Sequence, residues 1–138
     1  MDIKRRVDLL INKYQTNCPF KLTNHLGIQV LYEPLGNILG YYSKHFRVKV
    51  IHINEAANQK KQQFICAHEL GHAIMHPDAN TPFLKKHTLY LTDRIEVEAN
   101  AFAIELLLSN LNYDSITIAE AVEEYGIPKQ LALSKSLG

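Results

Sequence analysis

Apolar residues recur at helical spacing at the start of the chain, where Ile3, Val7, Leu10, Ile11 and Tyr14 are separated by lysines and arginines. This pattern predicts an amphipathic surface helix with one buried stripe. A shorter helix is expected from Pro19, suited to a first turn, to Leu26, with Gly27 as its left-handed stop. The period then changes. Ile28 to Tyr32, Ile38 to Tyr42 and Arg47 to Ile53 are β-prone, and Gly36-Asn37 marks a turn. Short connections predict an antiparallel three-stranded meander. In the third strand Val48, Val50 and His52 share one face while Arg47, Lys49 and Ile51 share the other, so one side needs a helix to cover it. The edge of this strand is expected to hold an extended substrate by main-chain hydrogen bonds.

The covering helix is expected from Gln59 to His76, a run broken by no proline and only by Gly71, and stopped by Pro77. Asp78 to Tyr90 has little periodicity and is read as a loop. Thr92 or Asp93 can cap a further helix reaching Leu108. Beyond it, Gly126-Ile127-Pro128 divides a tail of two short helices. The expected fold class is α+β, a small antiparallel sheet packed on a metal-binding helix with a helical C-terminal tail. One domain spans 1–138: helices in 1–27, the sheet in 28–54, the two site helices in 56–110 and the tail in 116–138.

Composition narrows the function. Lysine plus arginine number 15 against 14 acids, so there is no polybasic footprint, and a DNA-reading role for the tail would rest on little more than Lys129 and Lys135. No direct nucleic-acid contact is expected. No window approaches the roughly 20 apolar residues of a membrane span, and the N-terminus lacks the apolar core of a secretion signal. The expected setting is the cytoplasm. Cys18 and Cys66 are too few for a disulfide framework and receive no role.

The chemistry lies in His68-Glu69-Leu70-Gly71-His72. Residues four apart on a helix sit one turn above each other, so both imidazoles can meet one zinc ion at about 2.0–2.1 Å. Glu69 is offset by about 100°, beside the metal, where it can act as general base toward a zinc-bound water. The flanking apolar residues Phe64 to Ala67 and Ala73 to Met75 place the motif in a helix that a core encloses.

A catalytic zinc needs a third protein ligand. Asp78 has the spacing of a third ligand in metzincins, but that pattern requires glycine where Met75 stands. His76 continues the series from His72, yet three ligands in line cannot surround an ion, so it is read as a helix-end group or a support. The later helix is the better source. Glu96, Ala99, Asn100 and Ala103 share one face, with small residues that permit close approach and Gly71 as a matching notch. Glu96 is therefore the expected ligand, with Asn100 hydrogen-bonding a ligand histidine from behind. Glu98 points some 200° away and is expected to be solvated.

HELGH followed by Glu96-Val97-Glu98-Ala99-Asn100-Ala101-Phe102-Ala103-Ile104-Glu105-Leu106-Leu107 resembles the ImmA/IrrE family of metallopeptidases. One departure is that Leu107 leads into Leu108-Ser109, where the family often has Met-Pro. The resemblance implies a gluzincin-like zinc peptidase, often encoded on phages and mobile elements, acting on a helix-turn-helix repressor as protein substrate. A nearby donor would hold the oxyanion of the attacked carbonyl, the candidates being Tyr90, His87 and Arg94. The competing expectation is a non-proteolytic anti-repressor that binds a transcription factor.

Overall fold

The computed structural model describes residues 2–79, 84–85, 94–109 and 116–134. Within them the chain forms α1 (Ile3–Tyr14), α2 (Pro19–Leu26), β1 (Gln29–Glu33), β2 (Ile38–His45), β3 (Val48–Asn54), α3 (Gln59–Met75), β4 (Leu84–Lys85), α4 (Arg94–Leu107), α5 (Ile118–Tyr125) and α6 (Lys129–Ser134). Local chemistry sets the ends. Asp2 and Asn58 accept hydrogen bonds from backbone N–H groups to start α1 and α3, and Gly27 closes α2 at φ 72°.

The α+β class is as expected, but the sheet is mixed. Its order is β1-β3-β2-β4, with β1 parallel to β3 and β2 antiparallel to β3 and to β4. The meander fails because β3 enters between its two predecessors. The link from Glu33 to Ile38 can bridge two strand spacings of about 4.8 Å each, so a short connection does not force adjacency. Asn54, at the end of β3, fastens the crossing by donating to the carbonyls of Gly36 and Ile38 at 2.9 Å. As a central strand, β3 has no free edge for substrate. The expected loop is also interrupted, since Leu84 and Lys85 pair with β2.

Ile51 and Ile53 of β3 and Tyr42 of β2 are fully buried beneath α3, which identifies the Arg47-Lys49-Ile51 side as the covered face. Gly40 permits this approach, since a Cβ there would lie 2.6 Å from both the His52 carbonyl and Ile65 Cγ2. Across α3 lies α4. Here Gly71 receives Phe102, whose ring and Cβ would stand 3.1 Å from an added methyl, so its nearest neighbour is an aromatic ring that the sequence reading did not name. Every residue from Phe64 to Ala73 is buried. Such all-round burial is the signature of a central helix.

The tail joins the same core through Ile116, Ala121, Ile127, Leu131 and Ala132. Gly126, at φ 69°, sits so close to the Lys60 carbonyl that any side chain would collide with it. Among the described residues no helix is long and apolar enough to cross a membrane.

Candidate metal centre

Helix α3 brings His68, Glu69 and His72 into the interior, each at most 1% exposed. One nitrogen or carboxylate oxygen from each lies within 4.8 Å of the others. Glu96 of α4 approaches closer still. Its Oε1 is 3.2 Å from His68 Nε2 and its Oε2 is 2.8 Å from His72 Nε2. The nearest approach of Glu69 is 4.0 Å, to His68 Nε2.

These contacts are not a finished hydrogen-bond network. Glu69 Oε1 and Oε2, His72 Nε2 and Glu96 Oε2 are buried without a hydrogen-bond partner, the His72–Glu96 pair being close but misdirected for one. Among the described residues these four are the buried side-chain nitrogen and oxygen atoms left in that state. Each such group costs about 1–3 kcal/mol, more when charged. Glu96 Oε1 does bond His68 Nε2 at 3.2 Å, but two imidazole nitrogens and a carboxylate that converge with His72 Nε2 and Glu96 Oε2 left unbonded fit a shared cation. Tetrahedral zinc with bonds near 2.0–2.1 Å would set its ligand atoms roughly 3.3 Å apart, close to the spacing seen.

The electrostatics agree with this division. Burial raises the Glu96 carboxyl, but contact with His68 and His72 and their charge outweigh it and hold the group down at about 2. Glu69 has no histidine in hydrogen-bonding contact: burial pushes it up to about 8, with His72 pulling down and Glu96 pushing up. A bound dication would draw it back toward the ionised form.

Asn100 Oδ1 lies 2.8 Å from His68 Nδ1, the contact expected from the sequence. Asp78 is elsewhere, largely exposed and paired with Lys44 at 2.8 Å. His76 caps α3 and stands beside His72, with 3.1 Å between their Nδ1 atoms. Glu98 is not simply solvated as expected, because its Oε1 lies 2.9 Å from His76 Nε2. Angular position around one helix could not show this partner, since it comes from the far end of another. Of the candidate oxyanion donors, Arg94 is 88% exposed beside Glu98, and Tyr90 and His87 lie outside the described residues, as do Thr92 and Asp93. Cys66 is fully buried, and burial pushes its thiol up.

Residues 23–134 match the model of the IrrE N-terminal-like domain, a span that includes both helices of the centre. Over 141 aligned positions the chain is 43% identical to uncharacterized immunity region protein 2 of Bacillus phage phi105, covering 98% of this chain and 89% of that protein. It is 36% identical over 110 positions to metallopeptidase ImmA of Bacillus subtilis strain 168, covering 78% of this chain and 64% of ImmA. Domain match, relatives and the buried His/Glu/His group together show that the chain belongs to the ImmA/IrrE family of metallopeptidases.

Proposed function

We propose that the protein is a zinc-dependent endopeptidase of gluzincin type, acting as one domain in the cytoplasm on a helix-turn-helix transcriptional repressor of a phage or mobile element. The convergence of unpartnered atoms from His72 and Glu96 beside His68 carries the metal reading. The immunity region named for the phage relative and the metallopeptidase named for the bacterial one support the substrate class.

His68, His72 and Glu96 would hold the ion, and Asn100 would keep His68 oriented by accepting from its Nδ1–H. A bound zinc supplies Lewis acidity at the scissile carbonyl and lowers the pKa of a coordinated water to about 7. Glu69, whose oxygens have no partner and stand outside the closest ligand contacts, takes the proton of the attacking water and passes it to the leaving amine. Tyr90 is assigned as donor to the oxyanion. Its replacement by Phe should lower kcat with little change in KM.

Incubation of the purified protein with candidate helix-turn-helix repressors of phages and mobile elements tests the whole reading. Cleavage that requires zinc and disappears in Glu69→Gln is expected. A Glu69→Gln protein that still relieves repression in cells would replace it with a binding mode of action.

A further inference from the structure

Each candidate ligand histidine has a second ring nitrogen turned away from the shared point, and the two are held differently. His68 Nδ1 meets Asn100, a single buried contact. His72 Nδ1 meets His76, which in turn meets Glu98. The direction of this second arm follows from its outer end. A carboxylate only accepts, so His76 Nε2–H donates to Glu98 Oε1 at 2.9 Å. With His76 as a neutral imidazole its Nδ1 is then the accepting nitrogen, and across 3.1 Å it receives the hydrogen of His72 Nδ1. The lone pair of His72 is left on Nε2, the atom that faces Glu96.

Resting on the metal reading above, we propose that Glu98, acting through His76, is the positioning residue for His72, fixing the tautomer and ring orientation with which it meets the cation. Neither residue belongs to the HELGH motif, and the fold holds His76 in place. The His76 backbone N–H donates to the His72 carbonyl at 2.7 Å, and the next carbonyl, of Pro77, accepts from the Tyr42 hydroxyl at 2.7 Å, which anchors the helix end to β2. The arm also runs outward, from His72 with no exposure through His76 at 11% to Glu98 at 32%. Arg94 approaches the other Glu98 oxygen only to 3.7 Å from an 88% exposed position, where solvent screens it, so the oxygen facing His76 stays committed.

Zinc affinity of the purified full chain, measured by competition with a chromogenic chelator, tests the arm. Glu98→Gln, which can turn an amide N–H toward His76, and His76→Ala should each weaken zinc binding about tenfold or more, the range for loss of an outer partner of a ligand. The double variant should be no weaker than His76→Ala alone, whereas Glu98→Gln combined with Asn100→Ala should multiply the separate losses, since those residues serve different imidazoles. The zinc-free melting temperature of Glu98→Gln should stay at the wild-type value. Zinc affinities within about twofold of wild type, or full multiplication in the Glu98→Gln, His76→Ala pair, would overturn the proposal. So would a lower zinc-free melting temperature with unchanged affinity, which marks a merely structural contact. Should His76→Ala fail to fold, the half-buried Glu98→Gln and its pairing with Asn100→Ala still decide. Wild-type protein that takes up no zinc overturns the metal reading and this arm with it; unchanged variants of a zinc-binding wild type overturn the arm alone.

Discussion

Among the described residues two clusters combine histidine with carboxylate, one between α3 and α4 and one on the outer face of the sheet. On the sheet, His52 bonds Glu33 through Nδ1 and lies 3.0 Å from Ser43 Oγ through Nε2, while its ring stacks on Tyr41 at 4.0 Å. Both of its nitrogens are used, and the carboxylate of Glu33 is partly in water. Between the helices the reverse holds, with atoms of His72, Glu96 and Glu69 buried and unpartnered. The same side-chain types thus make a closed network in one place and an open one in the other. Unmet bonding capacity, not composition, marks the site at which a ligand is expected.

The sharpest way to break this contrast is Glu69→Gln, which should cost roughly 10²–10⁴-fold in peptide cleavage while zinc uptake persists. Cleavage at the wild-type rate would remove Glu69 from the chemistry. Next in size, Phe102→Ala should destabilise by about 3–5 kcal/mol in denaturant unfolding, because the ring fills the Gly71 contact that brings α4 to α3. A loss below about 1 kcal/mol would mean that α4 is held otherwise. Zinc should stabilise the wild type by about 2.7 kcal/mol at a hundredfold excess over its Kd, and do so far less in Glu96→Ala, as read by thermal melting. Smallest of all, His52→Ala should cost about 1–2 kcal/mol of stability and leave zinc affinity unchanged, since it dissolves only the closed cluster. Any fall in zinc affinity there would show that the two clusters are coupled.

Much of the candidate site could be read in advance because helical periodicity is a local property. His68, Glu69 and His72 are ordered by one helix, and Glu96 and Asn100 by another, so the sequence specifies which of them share a face. What it does not specify is contact between distant segments. The pairing of His76 with Glu98, and the seating of Phe102 against Gly71, depend on how α4 is set against α3. The sheet shows the same limit. Alternation placed Ile51 opposite His52, but strand order is decided by neighbours that alternation does not encode.

That strand order bears on the route of folding. β1 and β2 are linked tightly enough to close on each other as a hairpin, and such a hairpin would have to reopen before β3 could enter. A route that zips β2 to β3 first avoids the trap, and Asn54, which grips the linking turn only once β3 is seated, rewards that sequence of events. Stopped-flow refolding of Asn54→Ala should accordingly show a slower or additional phase, and single-phase kinetics at the wild-type rate would mean that the trap is never visited.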